Sequence, residues 1–167
     1  MRVQMLLSLI LFSILPNFVF SQTTDVEFDP RIHWPYLKTF SWHQKPTSAR
    51  PEVHKMIIAE IEKQLTAKGF KKDDKKPDFF VTYYGSTETQ VKTDEGGYSV
   101  GDWGNEKKRH EPVKVGTLVV DLIGSVKNGL IWRGTAQDTV SDDLAKVQET
   151  ITRALEKLFA DFPPKKT

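Results

Sequence analysis

The sequence predicts an α+β fold: a twisted, mostly antiparallel sheet of about five strands with two helices on one face, in the order β-β-α-β-β-β-α. Two segments, 51–69 and 141–162, repeat apolar residues every three to four positions, the period of a helix with one buried stripe. Five shorter segments are rich in β-branched and aromatic residues and are bounded by turn formers, which marks strands. Helices that are apolar on one side only need a sheet to cover, and five strands with two such helices make that layered arrangement.

The elements follow in chain order. Residues 25–29 alternate with period two and stop at Pro30, giving a short strand. His33-Trp34-Pro35 reads as a turn, and 37–42 as a second strand with Phe40 and Trp42 on one face. Pro51 suits the first turn of a helix, where its missing N–H costs nothing. Val53, Ile57, Ile61 and Leu65 then form its stripe, and Gly69 supplies the left-handed stop, with Phe70 packing back on Leu65. After the charged run 71–76, a strand opens at Phe79 and continues to Tyr84, with a weaker extension to Val91.

An irregular stretch, 93–114, holds Gly96, Gly97, Gly101 and Gly104 together with Tyr98 and Trp103. Strands 116–123 and 130–137 are joined by a turn containing Asn128-Gly129, the signature of an antiparallel hairpin. Ser141 is a helix N-cap followed by Asp142 and Asp143, negative charges that the helix dipole favours. Leu144, Val147, Ile151, Leu155, Leu158 and Phe162 form the final stripe, closed by Pro163-Pro164.

The start of the chain has a different character. Arg2 is the only charge before Asp25, residues 5–15 are almost unbroken apolar sequence, and Val19-Phe20-Ser21 offers modest side chains before Gln22. A cationic start, an apolar run of this length and a small-residue exit make a secretory signal over 1–21. A spanning helix needs about 20 apolar residues, and Pro16-Asn17 interrupts the run too early. The expectation is export to the periplasm or the medium, with no membrane span after cleavage and one domain over 22–164.

Composition excludes several classes of function. The chain has no cysteine, so thiol-linked lipid, thiolate metal sites and thiol nucleophiles are out of the question. Its 24 lysines and arginines face 22 aspartates and glutamates, mixed along the chain as in the run 71–76, so no strong basic face for nucleic acid is expected.

Several segments are familiar. Val26-Glu27-Phe28-Asp29-Pro30, Leu65-Thr66-Ala67-Lys68-Gly69-Phe70, Pro77-Asp78-Phe79-Phe80-Val81, Gly116-Thr117-Leu118-Val119-Val120-Asp121 and Leu130-Ile131-Trp132-Arg133-Gly134-Thr135-Ala136 occur in order along the chain. In these, and in the closing Leu158 to Pro164, the sequence resembles the bacterial domain-of-unknown-function family 4136, many of whose members are envelope lipoproteins. Lipoprotein members carry a cysteine at the cleavage site where this chain has Ser21-Gln22, so the resemblance implies an unanchored envelope protein. It implies no catalytic residues.

Trp132 belongs to the core by alternation, Arg133 points to the opposite face and pairs with Asp121 across the hairpin, and Gly134 permits a close approach at a strand kink. His33, His43, His54 and His110 lie in separate contexts without metal-ligand spacing, and no nucleophile elbow, phosphate loop or dinucleotide fingerprint is present. The expectation is therefore no cofactor and no metal. Tyr98 and Trp103, on a glycine-bearing stretch, are candidate ligand-binding residues that would stack on sugar rings or peptides. The function expected is that of a non-enzymatic envelope protein making macromolecular contacts, with a glycan- or peptidoglycan-binding module as the alternative. Its partner would be an envelope protein or a cell-wall glycan.

Overall fold

The computed structural model describes residues 22–43, 50–93 and 110–164. Within them the fold is α+β, with two helices and a six-stranded mixed sheet. The strands are β1 (Thr23–Phe28), β2 (Thr39–Trp42), β3 (Lys71–Lys72), β4 (Phe79–Thr93), β5 (His110–Gly124) and β6 (Leu130–Thr139). The helices are α1 (Pro51–Ala67) and α2 (Leu144–Leu158), and a 3-10 turn spans Trp34–Tyr36. The sheet order is β1-β6-β5-β4-β2-β3.

The β1, β6, β5 and β4 neighbours are antiparallel, whereas β2 lies parallel to both β4 and β3. The expected sheet of about five mostly antiparallel strands is close to this: three of the five strand pairings are antiparallel, and the differences are a sixth strand and a parallel part at one edge. The parallel part arises because α1 carries the chain over the sheet between β2 and β4, and a crossover through a helix brings strands together in the same direction. The sixth strand, β3, hides in the charged run. Lys71 N–H donates to the Lys38 carbonyl and Asp73 N–H to that of Phe40, at 2.9 Å each, so backbone bonding extends the edge where side chains give no signal.

One carboxylate fixes the start of the parallel pair. Asp78 accepts hydrogen bonds from the backbone N–H groups of Lys38 (2.7 Å) and Thr39 (2.9 Å) and from the Thr39 hydroxyl (3.0 Å). Its own N–H donates to the Thr39 carbonyl, again at 3.0 Å. The entry of β4 is thereby held against the entry of β2.

Helix α1 begins at Pro51 and ends in a full Schellman turn: Phe70 N–H donates to the Leu65 carbonyl, Gly69 N–H to that of Thr66, and Gly69 sits at φ 91°. Helix α2 starts later than the Ser141 cap implies. Asp143 is the N-cap, accepting from Ala145 N–H at 2.8 Å, while the Ser141 hydroxyl accepts from Asp143 N–H. The carboxylate two residues further on takes the capping role.

The two helices lie side by side on one face of the sheet and run in the same direction. Lys68, at the end of α1, donates to the Ala160 carbonyl just past the end of α2 at 3.0 Å. Beneath these C-terminal ends the core is crowded with rings. Phe162 makes ring contacts with Trp34, Phe70, Trp132 and Phe159, at centroid separations of 5.1 to 5.7 Å. Edge-on and tilted pairs at such spacing are favourable beyond the area they bury. Trp132 is 1% exposed and packs on Phe159. Leu130, two residues earlier, is 43% exposed: a register shift between Leu122 and Ile123 breaks the alternation that would have placed it beside Trp132.

Gly134 belongs to this crowded pole. A methyl group on its Cα would overlap the Trp132 ring and the Leu158 side chain, both integral to the core. Gly134→Val should cost about 1–3 kcal/mol or more through overpacking, read as a lower midpoint in urea unfolding; an unchanged midpoint would show that Leu158 gives way freely.

Asp78 sets a pH dependence. Burial pushes its carboxyl up, but the hydrogen bonds from Lys38 and Thr39 outweigh burial and hold it below the usual 3.8. A depressed native value means that the stabilisation is present in full above the unfolded value and is lost as pH falls through the native one. The wild-type chain should therefore lose stability more steeply than Asp78→Asn from about pH 5 downward, and parallel acid limbs in the two unfolding curves would contradict this.

Candidate functional site

The strands outrun the helices. At about 3.3 Å per residue the 15 residues of β4 span roughly 50 Å, whereas the 17 residues of α1 span roughly 26 Å at 1.5 Å each. Toward the helix N-termini the sheet therefore continues without a full helical cover. A cleft of about 760 Å³ opens there, within the range typical of small-ligand sites.

Its roof comes from Val53 and Ile57 of α1 and from Val147, Ile151 and Ala154 of α2. Its floor is made by the strands, and the floor side chains shrink as the strands leave the helices. On β4 the series Phe79, Val81, Tyr83 gives way to Gly85, Thr87 and Thr89, and β5 runs from Leu122 and Val120 through Leu118 to Gly116; β6 contributes the small Ala136 and the paired Asp138. The large members of each series fill the core, and the small ones leave the cleft.

The glycines of this floor are not equivalent. A side chain at Gly116 would collide with Val140, so packing explains that residue. At Gly85 an added Cβ would meet nothing within 4 Å, and its backbone is not in the left-handed region. Glycine in a strand interior weakens the strand and commonly marks close approach by a ligand or another backbone. At Gly85 nothing within the described residues claims the space.

The polar groups around the cleft are organised in pairs. Asp138, whose side chain is 5% exposed, accepts from the Arg153 guanidinium at 2.6 Å and from Thr139 N–H at 2.7 Å. At the mouth Lys114 donates to both carboxylate oxygens of Asp142 at 2.7 Å. That bond, Lys114's charge and the charge of Arg50 hold the Asp142 carboxyl below its ordinary value. The Tyr83 hydroxyl, raised in pKa by burial, is hydrogen-bonded to the His54 Nδ1. Tyr83 also packs edge-on against Trp42, whose indole N–H donates to Glu62 at 2.8 Å.

The residues singled out from the sequence fall elsewhere. Arg133 donates two hydrogen bonds of 2.7 Å to Asp121, on the sheet face opposite the helices. The Asp121 side chain is 6% exposed and that of Arg133 42%, and the pairing raises the Arg133 pKa. Neither residue lines the cleft. Tyr98 and Trp103 lie outside the described residues. The irregular stretch expected over 93–114 is shorter than that, because Thr93 still belongs to β4 and 110–114 to β5, paired rung for rung. Extended pairing of two polar, β-branched strands needs no apolar alternation to announce it.

His33 stacks on Tyr36, His43 lies against Phe80 and His54 bonds Tyr83, three unconnected settings. Among the described residues no three histidine, aspartate or glutamate side chains converge on a common point. Nor is any helix of the described residues long and apolar enough to cross a membrane. The cleft itself was not foreseen. The signal available for it was the fall in side-chain size along β4 and β5 together, which is visible only after their register is known.

The model of the family described as Domain of unknown function (DUF4136) matches residues 24–164. No curated protein matches the chain in sequence. Among solved structures, the fold is similar to a PDZ domain protein from Parabacteroides distasonis, with TM-score 0.58 and 13% identity over 89% of this chain. The chain spans only 38% of the length of that protein. It is also similar to PelC from Paraburkholderia phytofirmans, solved as a dodecamer, with TM-score 0.52 and 13% identity over 84% of this chain and 95% of that one. A second crystal form of the PelC dodecamer gives TM-score 0.52 at 12% identity. Likeness at such identities is a likeness of fold.

Proposed function

The chain belongs to the family of domains of unknown function DUF4136, and from that premise we propose that it is an exported, non-enzymatic binding module of the bacterial envelope, its ligand seated in the cleft beneath the helix N-termini. The observation that carries this reading is the cleft itself. It is mainly apolar, and at Gly85 its floor leaves space that no described residue fills. Sites for ligands have this character, with a few polar groups at the rim.

The ionisable groups support binding over catalysis. Asp138 is engaged by Arg153, Asp142 by Lys114, and Tyr83 by His54. A catalytic site needs a nucleophile or base aimed at an open position beside a second stabilising group, and here each group is turned toward its own partner. Export rests on residues 1–21, with Arg2, the apolar run and Ser21-Gln22.

Two measurements test the reading. The full chain, expressed in a bacterium with a periplasm, should be recovered outside the cytoplasm with Gln22 as its first residue by mass spectrometry; a cytoplasmic product retaining Met1 would refute export. An apolar fluorescent dye should brighten on the wild-type protein and not on Thr87→Trp, which fills the cleft from an exposed position, while the melting temperatures stay equal. Equal brightening on both proteins would remove the cleft as the ligand site.

A further inference from the structure

The cleft is bordered by a strand edge that, among the described residues, has no strand partner beyond Val81. On the side of β4 away from β5, strand β2 pairs only with Phe79, Phe80 and Val81, and a last bond runs from His43 N–H to the Val81 carbonyl at 2.9 Å. From Thr82 to Thr93 no described strand pairs with that edge. Each consecutive residue from Thr82 to Thr87 nevertheless borders the cleft. Because successive side chains of a strand point to opposite faces, unbroken lining means that the cleft reaches the backbone itself. An unpaired row of N–H and C=O groups is a template for another strand, and it lies between the main chain of β4 and the apolar flank of α1.

An acyl chain or other hydrocarbon would fill the apolar volume and leave those backbone groups unanswered. An extended peptide answers both, its main chain bonding to the edge and its alternate side chains entering the cleft, as in recognition by strand addition. Gly85 fits this geometry, since the empty space above its Cα admits a side chain of an added strand.

We propose that the cleft receives an extended segment of a partner protein, added as a strand along β4 from Thr82 to Thr89, with apolar side chains at alternate positions. This deepens the binding-module reading and rests on it.

The test uses three probes against the protein: a synthetic heptapeptide of alternating valine and threonine, the same peptide N-methylated at every second residue, and dodecanoate. The expected result is binding of the first peptide, weakened about tenfold or more by N-methylation, a loss of at least 1.4 kcal/mol. An added Cβ at Gly85 meets nothing within 4 Å among the described residues, so Gly85→Val should keep the wild-type melting temperature and weaken the peptide to the same extent. Failure of the peptide to bind, or equal binding by the N-methylated peptide or by Gly85→Val, overturns the proposal. Binding of dodecanoate without the peptide overturns strand addition while the cleft remains a ligand site; binding of neither overturns both.

Discussion

The structure is governed by a mismatch of length. Two helices of 17 and 15 residues cannot cover a sheet whose central strands both run for 15 residues at more than twice the rise per residue. Covering one end of that sheet fully leaves the other end bare. The chain resolves the mismatch by placing large side chains where the helices are and small ones where they are not. The result is a densely packed pole and a hollow pole on the same pair of strands.

At the packed pole the stabilising interactions are apolar. Phe40, Ile61, Leu65, Phe79, Val81, Leu122, Trp132, Leu155 and Phe159 are each 1% exposed or less, and burial of such side chains contributes about 1.5–3 kcal/mol apiece. The Asp121–Arg133 pair on the opposite face adds little by comparison, since cross-strand charge pairs contribute about 0.2–1 kcal/mol. Its value lies in register: two parallel hydrogen bonds hold β5 and β6 in the one alignment that keeps Leu122 beside Trp132 and Val120 beside Gly134. The Asp78 clamp serves the parallel half of the sheet in the same way, tying β2 to β4 at their first residues.

Much of this was legible in the sequence because the signals are local. The stripe Val53, Ile57, Ile61, Leu65 and the Gly69-Phe70 stop describe α1 almost to the residue, since helix period and Schellman chemistry are written within one segment. The Asn128-Gly129 turn likewise announced the β5–β6 hairpin, with Asn128 at φ 48°. Three things escaped for a shared reason. Strand β3, the full length of β5 and the parallel placement of β2 depend on backbone bonds to distant strands, made by Lys71, Lys114 or Thr39 whatever their side chains suggest. The cleft escaped for the same reason, since Gly85, Gly116 and Ala136 become neighbours only through the pairings of β4 with β5 and β5 with β6. Aromatic residues on the glycine-bearing stretch drew attention in the sequence, yet the hollow in the described fold is made by residues that are conspicuous only for being small.

The far end of the long strands has its own consequence. Beyond the rung of Thr89 with Lys114, β5 no longer has β6 beside it, and among the described residues the ribbon consists of two strands. An isolated two-stranded ribbon is marginally stable in water, so its amide protons should exchange with solvent through local opening while those beneath Trp132 wait for global unfolding. One molecule thus carries a steep gradient of protection along a single hairpin, rigid at the Asn128 side of β5 and yielding toward His110. Such a gradient lets the outer part of the sheet adapt its twist without disturbing the core that anchors it.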